Sequence, residues 1–367
     1  MARIFQDGFE MGRPSGVTAT FGAYQGGLWQ FNCNLGDIMV VDAQTSVKNS
    51  GNYALRMIHD LSSYRTQVFR NLGADLSEFF DRVEYRLATS NGTTEVVHYR
   101  DTAFNVVASI RISTTLDLLV YIGSSHVGTI AGAFIGGVFN RIETHLVIDS
   151  VEGMIEVKVN GNSHFVWAGN TDPLGTGHVR SMCLGKILSS SVDFTSYYDD
   201  VAVNDTTGSV NNSWCGKGSI LLLRPKGVGH YSQFTPSNVT FDNYEMVDEI
   251  PNDSDTTYVQ SDTVGNIDTY DMQELVADRG IDPALGVVVK AVQVCLTGRY
   301  EGADSSLAPI LRSGVVDSEG ALMEMASIYH RVYDQVFSVS PFTGLAWTYA
   351  GVDLLEAGVK QEEHPWG

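Results

Sequence analysis

Apolar residues along this chain recur at alternating positions or in short continuous runs, broken at close intervals by Gly, Asn, Asp and Ser. Helical periodicity is nearly absent. The stretch 82–88 (RVEYRLA) puts Val83, Tyr85 and Leu87 on one face and Arg82, Glu84 and Arg86 on the other, the pattern of a half-buried antiparallel strand. Further strands are expected over 96–99, 106–112 and 116–122. Residues 141–148 pair with 154–159, and Asn160-Gly161 then closes a tight hairpin onto 163–167. Farther on, 219–223 (SILLL) and 287–297 (VVVKAVQVCLT) read as buried strands. Thr348 is placed to cap a short helix over 349–357, with Gly358 as its C-terminal glycine. The fold class expected is all-β: two tandem antiparallel β-sandwiches of jelly-roll type, with at most a short C-terminal helix.

The length of 367 residues suits two domains. The segment 204–218 (NDTTGSVNNSWCGKG) is polar and aperiodic, so the boundaries are set at 1–205, a linker over 206–218, and 219–367. Hydrophobic residues make up 43% and charged residues 18%, enough to fill two cores and too apolar for a disordered chain. A net charge of −20 repels phosphate backbones, and no basic run offsets it, so nucleic-acid binding is not expected. The longest apolar stretch, 127–139, is broken by Gly and falls short of the roughly 20 residues a membrane span needs. No charged-then-apolar leader opens the sequence, so a secretory signal is not expected. Cys33, Cys183, Cys215 and Cys295 are widely spaced and are expected to be buried free thiols. Between 242 and 282 there are twelve acidic residues and one basic one, read as a solvated face with a cation or basic partner as the alternative.

The order of 4–11 (IFQDGFEM), 50–57 (SGNYALRM), 141–148, 153–161 (GMIEVKVNG) and 196–204 (SYYDDVAVN) resembles laminin-G-like, concanavalin A-like modules across 1–205. The second half resembles a β-sandwich module of tailed-phage tail proteins. It does so through 244–251 (YEMVDEIP), 256–261 (TTYVQS), 265–275 (GNIDTYDMQEL), 310–314 (ILRSG) and 341–359 (PFTGLAWTYAGVDLLEAGV). The two resemblances together imply a virion structural protein of tail, baseplate, fibre or head-decoration type, assembled in the host cytoplasm. Its partners would be other virion proteins, copies of itself and a host surface glycan. A carbohydrate-binding adhesin and a glycan-cleaving enzyme are the alternatives.

No catalytic group is assigned from the sequence. A retaining glycosidase needs two carboxylates about 5 Å apart, and the nearest candidates, Glu152 with Glu156 and Glu245 with Asp248 and Glu249, flank a turn and sit in a loop. No nucleophile elbow, zinc helix or phosphate loop is present, and the nine histidines show no ligand spacing. The chain is therefore expected to be non-enzymatic. The concanavalin-like resemblance implies a rim calcium ion, for which Asp7, Asp199 and Asp200 are the candidate ligands. Tyr24, Trp29 and Trp167 are the candidate aromatic platforms for sugar. The run 128–138 (GTIAGAFIGGV) offers either an apolar contact loop or an ordinary strand and turn.

Overall fold

The computed structural model describes residues 2–12, 28–33, 40–59, 66–186, 192–253, 255–301, 306–325 and 331–363. The chain forms two tandem antiparallel β-sandwiches, and the division falls between Leu221 and Leu222. The segment 206–218, expected to be a linker, thus belongs to the first unit.

The strands of the first sandwich are β1 (Arg3–Asp7), β2 (Gln30–Cys33), β3 (Val40–Gln44), β4 (Ala54–His59), β5 (Thr66–Leu76), β6 (Glu78–Ser90), β7 (Thr94–Arg100), β8 (Val106–Ile112), β9 (Leu118–Ile122), β10 (Ser125–Ile130), β11 (Asn140–Val147), β12 (Met154–Val159), β13 (Asn162–Ala168), β14 (Val179–Lys186) and β15 (Phe194–Asp205). One sheet runs β13-β12-β11-β6-β15-β4-β3, with β1 also on β15; the other runs β10-β9-β8-β7-β14-β5-β2. The expected hairpin is present. Asn160 (φ 52) and Gly161 (φ 89) both occupy the left-handed region that a two-residue turn requires, and β12 returns as β13.

Alternation fills the space between the sheets. Val83, Tyr85, Leu146 and Val157 from the first sheet and Val97, Tyr99, Ile110 and Val120 from the second are all buried. Each such side chain contributes about 1.5–3 kcal/mol by leaving water. Tyr99 marks the inner face of β7, because its hydroxyl crosses the layer to Asp81 Oδ2 (2.5 Å) and Thr144 Oγ1 (2.9 Å). Burial raises the Asp81 carboxyl to about 7, against the pull of the Tyr99 and Thr144 hydrogen bonds.

The outer face of the first sheet is not open to solvent as the 82–88 pattern implied. Arg82 donates to the carbonyls of Asp200 (2.8 Å) and Gly216 (3.1 Å), and Glu143 accepts from the Gly216 amide (2.7 Å). Asn204 donates to the Ser213 carbonyl (2.7 Å), and the Lys158 ammonium sits 3.6 Å from the centre of the Trp214 ring. The polar segment after β15 is thus a cover for its own sheet.

In the second unit a sheet is built from Pro225–Ser232, Ile267–Met272, Leu355–Glu362, Ser306–Ser313 and Val316–Glu319 in that spatial order, with Met323–Glu324 added on Ser306–Ser313. Val292–Gly298 and Arg331–Phe337 form a separate two-stranded ribbon. Three expectations are corrected here. Residues 219–223 are not a strand; the first strand of this unit begins at Pro225. The strand expected over 287–297 starts only at Val292, and Val287 and Val288, which precede it, are exposed. Thr348 does cap a short helix, Tyr349–Asp353, accepting from the Gly351 amide. Gly358 instead lies within the following strand, where a side chain would strike the Asp268 carbonyl of the neighbouring strand.

Candidate functional site

The second sheet of the first sandwich turns an unusual set of side chains away from the core. A β-bulge between Glu95 and Val97 resets the alternation of β7, so Glu95, His98 and Arg100 share the face opposite Val97 and Tyr99. Direct cross-strand pairing then lays out one row across six strands: Phe69 on β5, Cys183 on β14, His98 on β7, Ser109 on β8, Tyr121 on β9 and His126 on β10. The row is fully buried at Cys183, His98 and Ser109, half-buried at Phe69 and Tyr121, and exposed at His126.

Charged groups flank it. Arg111 lies 3.6 Å from the Glu95 carboxylate, donates to Ser109 Oγ (3.2 Å) and rests 3.8 Å from the centre of the Tyr121 ring. Arg100 reaches past β14 to Gln67 on β5, its Nη2 donating to the amide oxygen at 2.9 Å. Burial pushes the Cys183 thiol up to about 12, with the nearby Arg100 charge pulling the other way. That thiol is therefore protonated and is no nucleophile at neutral pH. At the turn after β7, Phe104 holds a left-handed φ of 64°, is 57% exposed, and meets Phe69 edge-on with ring centres 6.0 Å apart. A bulky residue in that region is strained by about 1–3 kcal/mol, and such strain collects at functional sites.

The residues singled out from sequence lie elsewhere. Trp29 is 5% exposed: its indole donates to Asp7 Oδ2 (2.8 Å), stacks on Phe9 and meets Phe5 edge-on. Its ring is thus enclosed by core side chains. Trp167 is half-buried on the edge strand β13, paired with Ile155, and its ring lies against Gly169. Tyr24 lies outside the described residues. Glu156 pairs with His145 on the first sheet, away from this row.

The calcium candidates are near one another in the backbone, since β1 pairs with β15 and Asp7 lies opposite Val201. Their oxygens, however, serve N–H and O–H donors. Asp7 accepts from the Phe9 amide and Trp29, and Asp199 from the amides of Asn49, Ser50 and Asp200. Asp200 accepts from Asn49 Nδ2, Ser50 Oγ and the Ile220 amide. A hard cation needs oxygens aimed at it, and among the described residues no three acidic, His or Cys groups converge in that way. The set does not fit calcium as placed. Burial and the adjacent Asp200 raise the Asp199 carboxyl to about 8.

No family model matches the chain, and no curated protein matches it. Solved structures do. The cellulose-induced protein Cip1 aligns at TM-score 0.42 and 18% identity, covering 58% of this chain and 100% of that one. An endo-β-1,4-glucuronan lyase from Trichoderma reesei aligns at 0.39 and 16%, covering 48% and 91%. A carbohydrate esterase from the Shiga toxin-encoding bacteriophage phi24B aligns at 0.34 and 13%, covering 47% and 89%. The likeness is one of fold. The matched set also contains alginate lyases and an endo-β-1,3(4)-glucanase. With a glucuronan lyase, alginate lyases and a glucanase among these structures, the expectation of a non-enzymatic chain is corrected.

The row on β5, β14, β7, β8 and β9 was missed in the sequence because its residues are ordinary one at a time. The signal was there in the repeated spacing His98-x-Arg100 and Ser109-x-Arg111 on successive strands, which puts four polar groups on one face.

Proposed function

We propose that the first sandwich acts on a glycan held along the outer face of its second sheet. The observation that carries this is the cross-strand row from Phe69 to Tyr121: aromatic at its two flanks, polar in its middle, and turned away from the core. Aromatic faces cover the C–H surfaces of sugar rings, while Gln67, Ser109 and the two arginines suit hydroxyl recognition. His98 stands at the centre of the row, between Cys183 and Ser109. The second sandwich exposes about as many large apolar side chains as it buries, among them Val315, Phe342, Leu345 and Leu354. That imbalance favours an assembly role for this unit, within a virion as its resemblance implies.

The full chain, screened against neutral and acidic polysaccharides, is expected to bind at least one class and to lose that binding in His98→Ala with Tyr121→Ala. If His98→Ala alone keeps binding but stops chain shortening, the site is catalytic. Failure to bind any glycan overturns the reading.

A further inference from the structure

Resting on the glycan reading above, we infer that the ligand carries an anionic group on its sugar rings and that Arg100 receives it. Arg100 is 2% exposed, and its single polar partner is the neutral amide of Gln67. Its Nε has no hydrogen-bond partner, and among the described residues no carboxylate stands within ion-pair distance. A buried guanidinium is ordinarily paired with an anion, because taking a charge out of water without one is costly. Other arginines of this sandwich are answered more fully: Arg141 rests on Glu143, Arg111 on Glu95 and Arg56 on Asp42, while Arg82 donates to two carbonyls. Arg100 is therefore a charge held ready with its counter-ion missing.

Its surroundings agree. Glu95, on the same face, is bridged to Arg111 and so does not serve Arg100 as a counter-ion. A planar guanidinium accepts a carboxylate or a sulfate in two-pronged fashion, and a uronic acid or a sulfated sugar would bring either one. The nearby rings of Phe69 and Phe104 would hold the sugar that bears it.

The test compares full-chain wild type, Arg100→Met and Gln67→Glu against four polymers: alginate and polygalacturonate (carboxylated), chondroitin sulfate (carboxylated and sulfated) and laminarin (neutral). Wild type is expected to bind an acidic polymer, with an affinity that falls as salt rises. Arg100→Met should weaken it by about 10- to 100-fold, the range for a lost charged hydrogen bond. Gln67→Glu should do the same by giving Arg100 a counter-ion within the chain, and should raise the melting temperature. Preference for the sulfated over the carboxylated polymers would support the inference and name the group. Equal binding of laminarin and acidic polymers, unchanged in both variants, would overturn it while leaving the glycan reading intact. Binding to none of the four or to any other glycan would overturn that reading instead. Should Arg100→Met fail to fold, Gln67→Glu decides alone, and retention of acidic-polymer affinity in that variant would sink the inference.

Discussion

The two outer faces of the first sandwich make a natural experiment. Both carry buried charge on central strands. On the first sheet Arg82 is answered from within the chain by two carbonyls, Glu143 by Arg141 and an amide, and Lys158 by Trp214. On the second, Arg100 has one neutral partner, and aromatic rings flank the row. The difference separates two uses of polar residues in a sandwich. Where the chain supplies every partner, the residues serve folding; where it leaves one out, they are available to a ligand.

This contrast can be broken by pH. On the first sheet, burial raises Glu84 to about 7 and, with Asp200 beside it, Asp199 to about 8. Folded-state values above the unfolded ones mean that the native state holds protons the unfolded chain releases. Stability is therefore greatest below about pH 4 on account of these groups and falls as pH rises toward 7 to 8. Glu84 alone corresponds to roughly 3 kcal/mol over that window. Urea midpoints should be higher at pH 5 than at pH 8; a flat or reversed profile would show that these carboxylates are not buried as described.

Arg82→Ala should then cost about 3 kcal/mol in denaturant unfolding, since it strips two buried carbonyls of their donor. Arg100→Met, its counterpart on the other face, should cost little or nothing. Equal losses from the two would collapse the comparison. Trp214→Ala removes part of the cover on the first sheet and should cost about 2 kcal/mol, read in the same way, with glycan affinity unchanged. The smallest effect on stability is expected for Phe104→Gly, which relieves a left-handed φ and should fall within about 1 kcal/mol of wild type. Glycan affinity should nonetheless fall in that variant, and its preservation would remove Phe104 from the site.

The strands were legible in the sequence because alternation and turn residues are local signals: Asn160-Gly161 and the pairing of β11 with β12 follow from them directly. What the sequence hid was set by long-range contact. Trp29 follows a glycine-rich stretch, yet Asp7 and two phenylalanines enclose it. The segment 206–221 has a loop's composition, which says nothing of the sheet it covers. Residues 287–291, apolar on both faces, suggested an interior that their surroundings do not provide. The proposed face was concealed by the bulge between Glu95 and Val97, which puts Glu95 on the side of His98 where strict alternation would oppose them.

The most direct test of the central claim is hydrogen exchange, resolved along the full chain, with and without a polysaccharide that the protein binds. The account predicts added protection in β7, β8 and β14, with β6, β11 and β12 unchanged. Protection confined to β6, β11 and β12 would place the ligand on the other sheet and contradict it.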